Sequence, residues 1–368
     1  HNQTYDKDKI TIFVVADSCS DRTAQICRDL GCVVYERFNS DPAKARKGYA
    51  MEFLFDNILV NYDINYFDGF AFFDADNVLA PTWFEKMNDA FATDAAVVTT
   101  YRNIKNFDTN FVSAAYGIHF CRSSMQFHRT RCRLGTSTHI AGTGYVIKSR
   151  LLKGGWHYTE LTEDAEFTQN TLNAGERIIF CEDAEFFDEQ PTKFRIMFRQ
   201  RMRWAKGGLF VFLKNGWRRL RAIFTQKGAA KKWTNYDLFW YNFPGGLFAA
   251  LLSGIAAVAG LIVGILAGTA VSDAIADVSS WDFYKTILLA AGGAYFYYTV
   301  QAAAVMIRER RHIHCPRGKK VLYVFTFFWF DIINLPINIV ALLQRVRWKP
   351  IPHDKAFDYN QIVSRGEG

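Results

Sequence analysis

Gln200-Arg201-Met202-Arg203-Trp204 is the stretch on which the fold turns, because the residues before it read as a soluble α/β domain and those after it as membrane. It lies within Lys193 to Lys214, where Phe194, Met197, Phe198, Met202, Phe210 and Leu213 recur near helical spacing between Arg195, Arg199, Arg201, Arg203 and Lys206. That alternation describes a basic amphipathic helix on a membrane surface. A guanidinium offers paired donors matched to phosphate oxygens and stays charged at any working pH. Gln200, Arg201 and Arg203 are therefore candidates to grip a diphosphate, the alternative being a snorkelling face that binds anionic lipid headgroups.

Upstream, Ile10 to Ala16 is a continuous apolar run bounded by polar turns, the pattern of a parallel strand covered on both faces. A helix from Asp21 to Leu30, a strand Cys32 to Tyr35, a helix from about Ala43 to Leu59 and a strand Gly69 to Phe73 continue the alternation, which predicts a doubly wound sheet. A strand at Ala95 to Tyr101, a long helix over Asn110 to Leu134, a glycine-punctuated loop and strand at His139 to Ile147, and a helix over Leu161 to Leu172 with Thr162 as its cap follow. In open α/β sheets ligands sit beyond the carboxyl ends of strands, where Asp17 and Asp74-Ala75-Asp76 fall.

Downstream lie three apolar segments, Phe243 to Leu266, Phe283 to Ile307 and Val321 to Leu343, the first two longer than the roughly 20 residues that span a bilayer. The acidic connection Ala267 to Asp282 and the basic one Arg308 to Lys320 place the soluble domain in the cytosol by the positive-inside rule. Asp331, Asn334, Pro336 and Asn338 interrupt the third segment, which is predicted to break near Pro336 and return.

The composition fits this division. With 368 residues, 50% of them hydrophobic, the chain can bury a core for about two domains. Its net charge of +8 comes largely from Lys193 to Lys232 and points to a phosphate-rich ligand or anionic lipid. No nucleic-acid motif accompanies it. The seven cysteines are odd in number and form no Cys-x-x-Cys pair, so neither a disulfide framework nor a zinc site is expected. No signal peptide is visible, and the chain, opening on His1-Asn2-Gln3-Thr4-Tyr5, is expected to be an N-terminally incomplete domain.

Asp74 and Asp76, two carboxylates at a strand end, are expected to turn to opposite sides, so that one can hold a metal while the other holds ribose or a ligand water; a solvated turn is the plainer alternative. Asp17 can accept hydrogen bonds from a base or ribose, or merely cap the helix that follows. Lys47 can reach a phosphate or stand as an ordinary helical lysine. Glu163 and Asp164 offer a carboxylate to take a proton from an acceptor hydroxyl, or a favourable charge at a helix start. Together these groups form the inventory for displacing a nucleoside diphosphate from a sugar carbon, with charge rather than a second proton donor stabilising the leaving group.

The order of motifs, an Asp after the first strand, Asp-x-Asp, Thr-Glu-Asp, then Gln-Arg-x-Arg-Trp leading into membrane helices, resembles the processive membrane-embedded family 2 glycosyltransferases. These include cellulose, chitin, hyaluronan and poly-N-acetylglucosamine synthases. The resemblance covers Gln3 to His353 and implies an α/β GT-A-type nucleotide-sugar domain over 1–192, interfacial helices over 193–235, and an α-helical transmembrane region with a gating-like loop over 236–368. It implies a UDP-sugar donor, a divalent metal (Mg or Mn) and inversion at the anomeric carbon. By the same resemblance, Asp17 and Lys47 contact uridine, Asp74 and Asp76 hold donor and metal, and Asp164, with Glu163 beside it, is the base. Gln200 and Arg203 take the diphosphate, Trp204 is the acceptor platform, and Gly142-Thr143-Gly144 is the loop beside the acceptor sugar. Trp348, before Lys349-Pro350-Ile351-Pro352-His353, is a gating residue or an interfacial anchor.

The expected activity is transfer of a hexose or N-acetylhexosamine to a growing polysaccharide at a multi-pass inner or plasma membrane, with the catalytic domain cytoplasmic. Single-sugar transfer to a lipid-linked acceptor, or an inactive nucleotide-sensing or export component, are the alternatives. So few membrane segments do not secure a polymer channel from one chain, which leaves room for an export partner or a homo-oligomer.

Overall fold

In a computed structural model that describes residues 3–268, 280–344, 346 and 357–366, the first apolar run forms strand β1 (Phe13–Asp17). It pairs in parallel with β2 (Val33–Arg37) through helix α1 (Thr23–Asp29), as the strand–helix–strand spacing predicts. Helix α2 (Lys47–Asn61) then leads to a second sheet of β3 (Gly69–Phe72), β4 (Val78–Leu79), β5 (Val97–Ile104), β6 (Tyr145–Lys148) and β7 (Ile178–Asp188), in the order β3-β6-β5-β7-β4.

This second sheet corrects the doubly wound expectation. β5 and β7 are parallel, but β6 runs antiparallel to both β3 and β5, and β4 antiparallel to β7. The cause is local. The Gly144 N–H donates to Phe72 O (2.8 Å), so β6 enters the sheet where β3 leaves it. Gly144 has φ +69°, and a Cβ there would lie 2.0 Å from the Phe186 ring, so glycine alone makes this turn. Apolar alternation marks strands but is blind to their direction.

Helix α3 (Trp83–Phe91) covers one face through the fully buried Trp83. The long helix expected over Asn110 to Leu134 is α4 (Phe111–Ser123), a π-helical turn Ser124–His128, and α5 (Arg129–Arg133). Asn110 starts it with a capping box completed by Ser113. Helix α6 (Glu163–Asn173) begins as expected, but Thr162 gives no cap. Its hydroxyl is covered by the next helix, α7 (Phe194–Thr225), where a Cβ on Gly207 would lie 2.6 Å from the Thr162 methyl.

Helix α7 is longer than the expected surface helix, and its buried side carries Arg201 and Arg219 as well as Met197 and Val211, while Phe194, Phe210 and Leu213 are exposed. After it come α8 (Ala229–Asn242), α9 (Gly245–Leu266), α10 (Trp281–Arg308), α11 (Arg317–Ile332), α12 (Asn334–Leu343) and α13 (Tyr359–Val363). Among the described residues two stretches are long and apolar enough to cross a membrane, Gly245–Leu266 and Arg317–Leu343. The segment Phe283 to Ile307 is helical but, with Tyr284, Tyr295, Tyr297, Tyr298 and Gln301, is not among them. The third segment is interrupted at Ile333, three residues before Pro336, because Pro336 has no N–H to offer the Ile332 carbonyl. Trp348 and the loop to His353 lie outside the described residues, as does most of the acidic connection.

The α/β half and the C-terminal helices share one apolar core, in which Tyr116 and Ile118 of α4 meet Val305, Phe327 and Phe330 of α10 and α11. Charge pins the same junction. Glu309, 1% exposed, accepts from Arg129 Nη1 (2.7 Å) and Tyr101 Oη (2.8 Å), and Arg122 pairs with Asp331 of α11. Glu309→Ala would leave Arg129 with only Glu182 and the Tyr101 hydroxyl without its acceptor, and thermal or denaturant unfolding should register a loss of about 1.5–3 kcal/mol.

Candidate active site

The centre of the site is Lys47, at the start of α2. A Cβ on the next residue, Gly48, would lie 2.3 Å from Tyr158 O, so only glycine allows the helix start to sit against the strand-to-α6 connection. Lys47 Nζ reaches Asp74, two residues past β3, donates to Gly142 O (2.7 Å), and stands 4.0 Å from Glu163 Oε1. Burial opposes the ammonium charge, but Asp74, Glu163 and Asp164 outweigh it and raise the lysine pKa. Lys47 is thus a bridge between the Asp-x-Asp turn, the glycine loop and the start of α6.

Glu163 is 6% exposed, and its carboxyl is pushed up to about 7, first by burial and then by Asp164, against the pull of Lys47 and Arg203. Arg203 arrives from α7, which Gly207 lets settle on Thr162, and its Nη1 donates to Leu161 O (2.9 Å). The Gly142 Cα lies beside the second carboxylate: a Cβ there would be 3.8 Å from Asp164 Oδ2 and 3.9 Å from Arg102 Nη1. Beneath them the Tyr145 hydroxyl is buried without a hydrogen-bond partner, its pKa raised by burial and then by Glu163, Asp164 and Asp74.

Asp76 points the other way, which strand alternation would not give, since residues two apart share a face; the turn closed by the Asn77 N–H on Asp74 O (3.0 Å) separates the two carboxylates. Asp76 Oδ2 accepts from the Glu189 N–H (2.8 Å), and it faces Asp188 at the end of β7, whose pKa is raised by burial and by Asp76 against the pull of Arg102. Arg102 Nε donates to Asp188 Oδ2 (2.9 Å) and Nη1 to Ala141 O (2.8 Å), so it ties the β7 end to the glycine loop. Thr143, expected at the acceptor, is 2% exposed; its hydroxyl accepts from the Asp74 N–H (3.0 Å) and donates to Asn77, latching the loop to the Asp-x-Asp turn.

Other expected residues lie apart from this group. Asp17 is paired with Arg37 (2.7 Å), which also holds Lys44 O, three residues before Lys47. Arg201, expected beside Arg203 on the diphosphate, is 5% exposed and turned to the C-terminal helices, where it donates to Phe330 O and Asn334 Oδ1 over the Phe330 ring. Residues two apart on a helix do not share a face, so Arg203 and Arg201 serve different layers. Gln200 accepts from Tyr116 Oη (2.5 Å), and Trp204 packs edge-on to the same ring. Cavities of about 320 Å³ and 160 Å³ both border Trp204, the first between α7, α12 and the α8–α9 turn and the second between α4, α7, α11 and α12, and neither is lined by the carboxylates.

Arg102, Asp188, Gln190 and Tyr116 were not singled out from the sequence. Asp188-Glu189-Gln190 at a strand's carboxyl end was the available signal, the one by which Asp17 and Asp74 were found. Asp74 and Asp76 offer hard oxygen donors to a cation, although no group of three His, Cys, Asp or Glu able to hold a metal occurs among the described residues.

A small parallel pair and a mixed sheet, with acidic strand ends closed by a lysine and an arginine, define a GT-A-like α/β protein. The chain belongs to the family described as Glycosyltransferase like family 2, whose profile matches residues 2–207. It is 30% identical over 263 residues to the probable glycosyltransferase YdaM of Bacillus subtilis (strain 168), an alignment covering 67% of this chain and 57% of that one. The chain therefore spans a little over half of that relative's length. Among solved structures it is similar to the mannosyltransferase PcManGT from Pyrobaculum calidifontis in complex with GDP-Man and Mn2+, at 16% identity and a TM-score of 0.49 over 91% of this chain and 80% of that one.

Glu163 gives a test by linkage. Its folded carboxyl holds a proton to about 7, while the unfolded one releases it near 4.5. The stability it contributes is thus full below the lower value and lost as pH rises through the upper. Glu163→Gln should remove that loss, so its melting temperature should gain on the parent's as the pH is raised from about 5 to 8.

Proposed function

We propose that the protein is an inverting glycosyltransferase that moves a hexose or N-acetylhexosamine from a nucleoside diphosphate sugar, with UDP as the carrier, to a polysaccharide growing at the membrane. The observation that carries this reading is the contact network joining Lys47, Asp74, Gly142, Glu163 and Arg203 around Asp164. Family membership supports sugar transfer as the chemistry.

In this mechanism Asp164 takes the proton of the acceptor hydroxyl, whose oxygen then bonds to the anomeric carbon from the face opposite the diphosphate. The carbon–oxygen bond to the diphosphate breaks, and its electron pair leaves with the nucleoside diphosphate. Arg203 and Lys47 meet the charge that develops on that leaving group. Gln200, fixed by Tyr116, orients the diphosphate, and Asp17 at the end of β1 takes the nucleoside. Asp74 and Asp76, on the two sides of the turn, would hold the donor and Mg or Mn, which would supply Lewis-acid stabilisation of the diphosphate. The fit rests on their oxygen donors and on Asp188 Oδ1 beside Asp76, a buried carboxylate oxygen without a hydrogen-bond partner. One or two carboxylates completed by substrate phosphates is the usual way a protein holds magnesium.

The processive version, at a multi-pass membrane with the α/β half cytoplasmic, is favoured by Trp204. That indole borders both cavities, the larger of them beside the start of helix α9, whose Leu252, Ile255, Val263 and Leu266 are mostly exposed. An aromatic face there can stack a sugar as it leaves the site. Asp164→Asn should lower transfer by roughly 10²–10⁴-fold while UDP-sugar binding persists, which separates a base from a binding residue. Chelation should abolish transfer and restored Mg or Mn should return it. Mass spectrometry of the product would show a sugar ladder for a polymerase and one added sugar on lipid for the alternative.

A further inference from the structure

Arg219, on α7, is 1% exposed, yet its Nε, Nη1 and Nη2 all lack a hydrogen-bond partner among the described residues. One helical turn earlier, Asn215 is equally buried, and its Nδ2 also lacks a partner. Seven residues on, just past the end of α7, Gln226 donates to Leu172 O (2.9 Å) of α6 and accepts from Asn235 (2.9 Å) of α8. The Arg219 side of α7 therefore looks into the seam between α6, α7 and α8.

A buried guanidinium keeps its charge, so it needs an anion as well as acceptors. Among the described residues the one charged group that bears on Arg219 is Arg131, a second cation. Arg131 uses Nε on Asp237 (2.6 Å) and Nη1 on His139 (3.0 Å), while its Nη2 is buried without a partner. The partnerless acceptors on the helices packed against α7, Gln169 Oε1, Asn173 Oδ1 and Asn235 Oδ1, are amide oxygens, which can accept a hydrogen bond but cannot neutralise a charge. The seam thus combines unmet donors with uncompensated positive charge, the reverse of the Lys47 site with its three carboxylates.

We propose that the seam between α6, α7 and α8 is a binding site for a small inorganic anion, chloride or phosphate, held by Arg219 with Arg131 and Asn215. With so little exposure, a lipid headgroup or a nucleotide does not fit there without parting the helices. The anion would brace the far half of the helix whose near half carries Gln200 and Arg203, apart from the carboxylate site and independently of the activity proposed above.

The test is the thermal unfolding of the full chain in detergent, in gluconate at fixed ionic strength, with chloride or inorganic phosphate replacing gluconate stepwise. The melting temperature should climb by roughly 2–4 °C or more and level off in at least one series, and the effective series identifies the anion. Arg219→Met should melt at one temperature in all three salts. Asn215→Ala should fold and shift half-saturation to severalfold higher anion, which keeps the proposal testable if the arginine variant does not accumulate. Equal melting in gluconate, chloride and phosphate would overturn it. So would a climb that survives in Arg219→Met, because the anion would then be binding elsewhere, as phosphate could at Arg203.

Discussion

A positive charge taken out of water must be met by a negative one, and this requirement sets most of the long-range geometry of the chain. Lys47 meets Asp74 and Glu163, Arg102 meets Asp188, Arg122 meets Asp331, and Arg129 meets Glu182 and Glu309. Each pair joins segments far apart in sequence, and every carboxylate but Glu182, which stands within β7, lies at the end of a strand, the start of a helix, or a helix–helix junction. The pairs on the α/β side converge on the ends of β3, β5 and β7, where a phosphate-bearing ligand would meet both fixed cations and fixed anions.

Three glycines make those meetings possible by letting backbones touch. Gly48 seats α2 on Tyr158, Gly144 slides under Phe186, and Gly207 lets α7 cross Thr162. In each case a methyl group would fall within 3 Å of a neighbouring atom, so the approach distance is set by the absent side chain. The lysine, the loop and the arginine of the site each depend on one of these contacts.

Much of the site could be read in the sequence because its residues stand where secondary structure changes. Asp74 and Asp76 follow an apolar strand, and Glu163 and Asp164 open a polar-to-apolar helix, so position and residue type reinforce one another. The direction of β6 could not be read, since a helical connection of this length can return the chain either way. Arg201 departs from the diphosphate expected of it because two residues along a helix turn a side chain by about 200°, so it cannot point where Arg203 points. Arg102 and Asp188 escaped notice because each looks like an ordinary strand-end charge until the two are brought together. The basic face of α7 suggested a surface helix, whereas part of its charge is buried, a distinction that composition cannot make.

The shared core and ion pairs between the α/β half and the helices after Trp281 bear on how the chain can be divided. Cutting the polypeptide between the two would strand Arg122 and Arg201 on one fragment without their partners, leave Arg129 with Glu182 alone, and bare the aromatic faces of Tyr116 and Phe330. Neither piece would be expected to hold its native shape alone. The boundary drawn by hydropathy is thus not expected to be a boundary in folding: through α10 and α11 the later helices supply the α/β half with part of its own interior.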